Sequence, residues 1–391
     1  MQQGWNMMPL VRDFLPAHQS SGVVLSPRAY RNPDSLLRDA GEIHDLDGVV
    51  LCDPQFYEPR TDHPNILVHE YWEGADFSTR EFEAHDFCER VVEYQRNRVH
   101  VDEVILPGRF SDSADEPWLE LQMRIAEAGS RCAAGTPTYM TVAVGPSVVS
   151  SESRFDAVLD QVVSYPVDGV YFLVQHPHSR FLIDDENFLY ALLDGFLSIR
   201  RAGKRILYGY ANQQSLLFAA AGVTELASGN FRNTRQFDTT MFMTQDPEDR
   251  QRSTWYYDAG TLGEYRPQQL TLGYRRGLRG RFGPECDQCR PLLEAETPAN
   301  VPWGERDAFH HFLHELRREW TLFGISGPTG AERAAVVAEV LAAAIGRAQL
   351  LQSDGFMSGQ RGFLGPASDA STGALAAFRQ DRARDLSRLS V

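Results

Sequence analysis

The sequence has 391 residues, of which 42% are hydrophobic and 23% charged, enough for one large α/β barrel or two average domains. Its 38 basic and 53 acidic residues give a net charge of −15, which argues against a protein that coats nucleic acid through bulk charge. The five cysteines are scattered and odd in number, unlike a secreted disulfide framework. Residues 1–15 lack a signal pattern and no apolar run reaches membrane-spanning length, so we expect a cytoplasmic protein with no membrane partner.

Short apolar runs alternate with amphipathic stretches, the pattern of repeated strand–helix units. The predicted strands are 22–25, 48–52, 104–106, 139–144, 169–175, 205–209 and 223–227, with 270–274 as a weaker eighth. The predicted helices between them are 79–95, 117–128, 153–164, 186–202 and 213–220. Strands this apolar are typical of parallel sheets covered by helices. About eight strands over about 280 residues favour an α/β fold of the (β/α)8 TIM-barrel type over a doubly wound sheet.

The predicted organisation has three parts. An N-terminal segment covers 1–20, and the barrel covers 21–354. The barrel includes a zinc-binding insertion at about 284–320, in which the metal would link a C-terminal helical region to the rest of the fold. The C-terminal part, 355–391, is rich in Gly, Ser, Asp and Arg, which favours a mobile tail or a loosely docked helix.

A Cys-x2-Cys turn at Cys286 and Cys289 is the most specific local motif. It is followed by His310, His311 and His314, and the spacing C-x2-C-x20-H-x3-H selects His310 and His314. Zinc prefers four sulfur or nitrogen ligands, and histidines four apart share one helix face. We therefore predict a structural zinc bound by Cys286, Cys289, His310 and His314. The alternative is a pair of free cysteines beside an exposed, histidine-rich helix.

Polar residues follow several predicted strands. Asp53 comes after the second strand, Gln175 ends the fifth and Gly209 ends the sixth. In a barrel these positions meet at one mouth. Asp53 could act as a base or hydrogen-bond a heterocycle, Gln175 could read an edge of it, and Gly209 would admit a flat ligand. The alternatives are that Asp53 only caps a turn before Pro54, and that the Gln175 side chain makes its hydrogen bonds within the protein at the rim of the barrel.

His176 and His178 follow the fifth strand and suggest a catalytic metal, hence a metal-dependent hydrolase. The alternative is a pair of loop histidines, one of them contacting Asp184. The chain also contains an arginine-rich run that includes Arg275 and Arg276 and could bind phosphate groups of a substrate. A solvated loop that pairs with the protein's own acidic surface explains the run equally well.

Together these features resemble the tRNA-guanine transglycosylases over roughly residues 20–350. Segment 53–56 (Asp-Pro-Gln-Phe) stands where that family has Asp-Ser-Gly-Gly-Phe-Gln, and 172–175 (Phe-Leu-Val-Gln) looks like its Ile-Val-Gln-Gly-Gly. Segment 207–210 (Leu-Tyr-Gly-Tyr) is placed like its Gly-Gly-Leu, and the late Cys/His spacing is similar to its C-x-C-x2-C-x25-H zinc pattern. The resemblance implies a pentosyl transferase that exchanges a guanine or 7-deazaguanine-type base on a nucleic acid.

The sequence departs from the family pattern at two important places. Pro284 replaces the first zinc cysteine, and Ala227 aligns with the nucleophilic aspartate. Glu225 and Asp238 are the candidate substitutes for that nucleophile, beside Asp53 as a catalytic residue. Without a nucleophile the resemblance implies a non-catalytic subunit, as a homodimer or as a heterodimer with a catalytic subunit.

Overall fold

The computed structural model describes residues 1–4, 6–58, 65–72, 84–242, 254–283, 286–325, 329–357, 359 and 361–390. The chain forms two compact units. Unit 1 comprises Met1–Ser179, Asp194–Asn212 and Val223–Gln245. Unit 2 comprises Arg180–Leu193, Gln213–Gly222 and Asp246–Val391. This division differs from the single barrel that we predicted for 21–354.

The described residues form eight strands in unit 1 and two in unit 2. In unit 1 they are β1 (Gly22–Leu25), β2 (Val49–Cys52), β3 (Val104–Leu106), β4 (Phe110–Ser111), β5 (Thr138–Val144), β6 (Gly169–Val174), β7 (Arg205–Tyr208) and β8 (Glu225–Leu226). In unit 2 they are β9 (Tyr256–Asp258) and β10 (Gly263–Tyr265). Strand β1 pairs with β2, and a six-stranded sheet has the order β3-β5-β6-β7-β8 with β4 beside β5, all parallel. Strands β9 and β10 are antiparallel.

Helices separate most of these strands along the chain. In chain order they are α1 (Met8–Phe14), α2 (Pro33–Asp45), α3 (Ala84–Glu93), α4 (Glu116–Cys132), α5 (Pro146–Val149), α6 (Glu152–Ser164), α7 (Glu186–Arg201), α8 (Pro267–Arg275), α9 (Arg290–Glu294), α10 (Glu305–Ile325), α11 (Gly330–Ser353), α12 (Pro366–Asp381) and α13 (Ala383–Leu386). The predicted helix 213–220 is a 3₁₀ helix over Gln213–Ala221. Several helices begin at a side-chain cap: the Asp115 carboxylate accepts the Trp118 N–H ahead of α4. The mixed α/β fold with a mostly parallel central sheet is thus as predicted.

Backbone hydrogen bonds continue beyond the named strands of unit 1. The Asp102 N–H, just before β3, donates to the Val50 carbonyl of β2 at 2.9 Å. Gln2 pairs in parallel with Val24 of β1, and its N–H donates to the Ser228 carbonyl, just after β8, at 2.7 Å. The start of the chain, which we predicted to lie outside the sheet, therefore bonds to β1 and to the end of β8.

Alternate strand residues form one buried cluster in unit 1. It contains Val24, Leu51, Ile105, Tyr139, Ala143, Tyr171, Leu173, Leu207 and Ala227, together with Tyr57, Tyr210, Phe237 and Phe242 from the segments that follow strands. Because strand side chains alternate between faces, this cluster defines the inner face of the sheet, on which the odd-numbered residues of β5 to β8 lie.

The predicted eighth strand, 270–274, is wrong, because these residues lie in α8. Pro267 occupies the first turn of that helix, where its missing N–H costs nothing. Leu270 is fully buried whereas Leu272 is 57% exposed. A strand would have placed both leucines on one face, so the burial follows the helical period.

Of the two alternatives predicted for 355–391, a mobile tail and a loosely docked helix, the structure agrees with the helical one, because the segment contains α12 and α13. Ser371, Ala374 and Phe378 of α12 are buried within unit 2. Their spacing of three and four residues places them on one helix face, and small side chains allow close packing there. The charged residues Asp369 and Arg379 of this helix are exposed, whereas Ser371 is buried with the apolar residues.

Helix α11 has 24 residues and is, among the described helices, the one long and apolar enough to cross a membrane. This criterion rests on length and composition alone, and core helices meet it too. About a third of its most apolar window, 33%, is buried in the fold.

Candidate functional site

Asp53 lies directly after β2, at the carboxyl end of the parallel strands, and is fully buried. Its N–H donates to the Leu25 carbonyl at 2.9 Å, which extends the β1–β2 ladder by one step. Because Leu51 faces the inner cluster, the next alternate position, Asp53, faces the same way. One carboxylate oxygen accepts the Gln55 N–H at 2.9 Å, and the other accepts the Tyr57 hydroxyl.

Burial has the largest effect on the pKa of the Asp53 carboxyl group. Removal from water raises its pKa from 3.8 to about 7, although hydrogen bonds from Tyr57, Gln55 and Tyr171 act in the opposite direction. A carboxyl group with this pKa exchanges its proton near neutral pH and can serve as a hydrogen-bond acceptor or donor.

Tyrosines surround this carboxyl group. The Tyr171 hydroxyl, from β6, lies 3.4 Å from the second Asp53 oxygen and 2.9 Å from Oε1 of Gln2. Tyr57 and Tyr210 both place their rings edge-on to Phe237, with centroid distances of 5.3 and 5.5 Å. The carboxyl end of the sheet therefore combines one acid with several aromatic rings. We call Gln2, Asp53, Tyr57, Tyr171 and Tyr210 the Asp53 cluster.

Gln175 and Gly209, predicted to bind substrate, both follow strands at this end. Gln175 pairs with Phe237, and its Oε1 accepts the Thr239 hydroxyl at 3.4 Å. A Cβ at Gly209 would lie 2.4 Å from the Leu173 side chain and 2.5 Å from the Tyr171 ring. The space beside Gly209 is therefore filled by these two side chains, and glycine is needed there for packing.

The two candidate nucleophiles lie at opposite ends of the strands. Asp238 directly follows Phe237, which pairs with Gln175 at the carboxyl end, and its carboxylate accepts the Thr240 N–H and hydroxyl at 3.0 and 2.7 Å. Glu225 begins β8 at the amino end.

Glu225 belongs to an ionic network at that amino end. It pairs with Arg205 at 2.6 Å and accepts the Tyr139 hydroxyl at 2.8 Å, and Arg205 also pairs with Glu103. This arrangement makes Glu225 an ion-pair partner at the end of the sheet away from Asp53.

The two loop histidines do not form a metal site in the structure. His176 is buried, whereas His178 is exposed with φ of 55°. Within the described residues, neither belongs to a group of three metal-type ligands. In the described parts of the chain, the two histidines of the predicted hydrolase site are thus without further metal-type ligands around them.

The arginine-rich run mostly contacts its own chain. Arg276 donates to the Gly355 carbonyl, Arg279 donates to the Glu294 carbonyl, and Arg281 pairs with Asp354 at 2.8 Å. Arg275 is exposed in the last turn of α8. These contacts agree with the loop alternative for most of the run.

Unit 2 brings Cys286, Cys289 and His311 together. One ligand atom from each lies within 4.8 Å of the others, the two sulfurs are 3.6 Å apart, and the Cys286 sulfur is 3.1 Å from His311 Nδ1. Hydrogen bonds from Cys286 and His311 lower the pKa of the Cys289 thiol, which favours the thiolate that binds metals. This donor set suits a metal such as zinc.

The histidine differs from the predicted pair, His310 and His314, whose rings stack on each other 6.4 Å apart. One residue turns a helix by about 100°, so His311 faces the cysteines while its neighbour does not. His311 Nε2 lies 2.6 Å from the Tyr257 carbonyl, a contact that directs Nδ1 towards the sulfurs. Among the described residues the group has three members, and Pro284 lies outside them.

Sequence reasoning missed several members of these clusters. Tyr57 stands four residues after Asp53, and Tyr171 occupies an inward position of a predicted strand, so both carried a weak signal. Gln2 carried none, because nothing in the sequence links it to β6. His311 was visible beside His310, but spacing alone did not decide between them.

Comparison with protein-family models, with curated proteins and with solved structures found no match for this chain.

Proposed function

We propose that this chain is a transglycosylase-like barrel protein that binds a guanine or 7-deazaguanine-type base at the carboxyl end of its parallel strands. The observation that carries the proposal is the Asp53 cluster. It combines a buried carboxyl group, raised in pKa, with aromatic rings at the edge of the sheet where barrel enzymes bind their ligands.

The proposal includes a closed barrel in unit 1, with residues 1–3 as the strand that the sequence-based count placed at 270–274. The Gln3 N–H donates to the Val24 carbonyl and the Gln2 N–H donates to the Ser228 carbonyl, and both bonds support closure on one side. The bond from Asp102 to Val50 supports it on the other side, between β2 and β3. The eight strands would be 1–3, β1, β2, β3, β5, β6, β7 and β8, with β4 as an addition.

Base recognition follows from the chemistry of the cluster. A guanine presents two adjacent donors, N1–H and the 2-amino group, which a carboxylate can accept together. Tyr210 and Phe237 would stack on a planar heterocycle, a contact worth about 1–3 kcal/mol per base. Asp53 would therefore read the base, with Gln175 as a further contact at the same edge.

Base exchange is the catalytic form of this proposal. Asp238 is the better nucleophile candidate, because it lies beside the Gln175–Phe237 pairing whereas Glu225 is held by Arg205 at the amino end. The Asp238 carboxylate would bond to the ribose C1′ as the C1′–N9 electron pair leaves with the base. The leaving base would take up a proton at N9 from solvent water, while the Asp53 carboxylate keeps its contacts with N1–H and the 2-amino group.

Zinc would be structural in this protein. Cys286, Cys289 and His311 would hold it, and the metal would tie α10 to the turn before α9. Such ligation stabilises the fold directly and would not touch the substrate.

The proposed partners are a nucleic acid and a second subunit. The proposed location is the cytoplasm. Arg275 would contact phosphates, since the other arginines of its run contact their own chain. If Asp238 does not act, the chain would be a non-catalytic subunit as a homodimer or in a heterodimer with a catalytic subunit.

Equilibrium dialysis with radiolabelled guanine tests the binding proposal on the full chain. We expect saturable guanine binding that adenine does not displace, and a loss of about tenfold or more in Asp53→Asn. Asp160→Asn, an exposed position on α6, is the matched control and should bind like the native protein. Absence of guanine binding to the native chain would contradict the proposal, and incorporation of label into tRNA would identify base exchange.

A further inference from the structure

Gln2 carries an amide group whose two ends differ in the structure. The side chain is completely buried, and its Oε1 accepts the Tyr171 hydroxyl at 2.9 Å. Its Nε2 is also buried and has no hydrogen-bond partner within the described ranges of the chain. The donor end of this amide is therefore available inside the Asp53 cluster.

A buried amide donor without a partner costs free energy, and nearly all such groups in folded proteins find a partner. The Tyr171 hydroxyl connects Gln2 to Asp53, since it lies 2.9 Å from one and 3.4 Å from the other. The bond to Tyr171 occupies Oε1 and leaves the N–H groups of Nε2 without a partner among the described residues. An acceptor carried by a ligand would complete the hydrogen bonding of Gln2.

We propose that Gln2 is a specificity-determining residue, which donates from Nε2 to the carbonyl oxygen O6 of a 6-oxopurine while Asp53 accepts its N1–H. This inference rests on the proposed guanine-binding function and adds the carbonyl to the groups that are recognised. The pair presents a donor beside an acceptor, the complement of the guanine edge. Adenine presents the reverse order at those two positions and is rejected.

The experiment compares guanine with 6-thioguanine, which keeps N1–H and the 2-amino group but replaces O6 by sulfur, a weaker acceptor. Dissociation constants are measured by equilibrium dialysis for the native protein and for Gln2→Met, a variant of similar side-chain length without the amide. The native protein should prefer guanine by about tenfold, and Gln2→Met should bind guanine about tenfold more weakly and lose the preference.

Gln213→Met is the matched control. Gln213 is also completely buried and belongs to unit 2, and in the part of the chain that the structure describes both of its side-chain polar atoms lack hydrogen-bond partners. We expect this variant to keep the native affinity for both bases.

The outcomes separate the two proposals. A native protein that binds neither base contradicts the proposed function itself. A native protein that binds both bases equally well, or a Gln2→Met variant that keeps the preference, overturns the role of Gln2 and leaves guanine binding intact. The comparison of bases on the native protein decides the matter even where Gln2→Met does not fold.

Discussion

The Asp53 cluster in unit 1 is fully buried, whereas the Cys286–Cys289–His311 group in unit 2 includes the half-buried Cys286, and the two differ in the chemistry of their polar atoms. Asp53 is surrounded by hydroxyl and amide groups that donate protons to it. In the second group two sulfurs and one imidazole nitrogen lie within 4.8 Å of one another. The first set contains hydrogen-bond donors around one acid, whereas the second is a donor set that could hold a metal ion.

The two groups are therefore expected to affect different properties: the unit 2 group the stability of the fold, and the Asp53 cluster the binding of a ligand. A metal bound by cysteine and histidine contributes folding free energy and need not touch a ligand. A buried acid with a raised pKa costs stability once it is ionised, a cost that is typical of sites that bind or react.

Removing a ligand from the unit 2 group should have the largest effect. We expect Cys289→Ser and His311→Ala to lose zinc and to lower the free energy of unfolding by roughly 5 kcal/mol or more, because structural zinc stabilises the folded state. Elemental analysis and urea unfolding measure both quantities. His310→Ala is the control and should retain the metal, since its ring stacks on His314. Loss of zinc in His310→Ala with retention in His311→Ala would reverse the assignment.

The pH dependence of Asp53 should have the next largest effect. Between pH 3.8 and about 7 the folded protein keeps a proton on Asp53 that the unfolded chain has released, so stability falls as pH rises through this window. The full shift corresponds to about 4 kcal/mol at most. Asp53→Asn should therefore raise the melting temperature relative to the native protein at pH 8 but not at pH 4. An equal effect at both pH values would refute the raised pKa.

A methyl group at Gly209 should disturb the Asp53 cluster through Tyr171. The added Cβ would lie 2.5 Å from the Tyr171 ring, and overpacking of this kind costs about 1–3 kcal/mol. We expect Gly209→Ala to lower stability and weaken guanine binding. Gly280→Ala is the control, because no heavy atom lies within 4 Å of its Cβ position. Unchanged stability in Gly209→Ala would mean that the strands adjust without cost.

Glu225→Gln should have the smallest effect. The ion pair with Arg205 is partly exposed, with 37% and 35% of the two side chains accessible, so its loss costs about 0.5–1 kcal/mol. Guanine binding and base exchange should stay at the native level, as in the exposed control Glu127→Gln on α4. A variant that loses base exchange while keeping its stability would make Glu225 the nucleophile.

Several features were predictable from local sequence. The apolar runs of β1, β3 and β6 and the position of Asp53 after β2 followed from hydrophobic patterning, because a buried parallel strand needs an uninterrupted apolar segment. The Cys286–Cys289 pair followed from the geometry of a Cys-x2-Cys turn. The strand prediction for 270–274 was wrong. The β-propensity of these residues is outweighed by Pro267, which favours the start of a helix, and by the packing of one helix face.

What the sequence alone determined is the alternation of strands and helices and the chemical identity of the clustered groups, because both depend on neighbours along the chain. Only the tertiary structure decided that Gln2 meets Tyr171 and Asp53, and that His311 rather than His310 meets the cysteines. These contacts join residues that are far apart in the sequence, and they depend on the direction in which each side chain points. Local spacing does not encode this direction, and packing against the rest of the unit sets it.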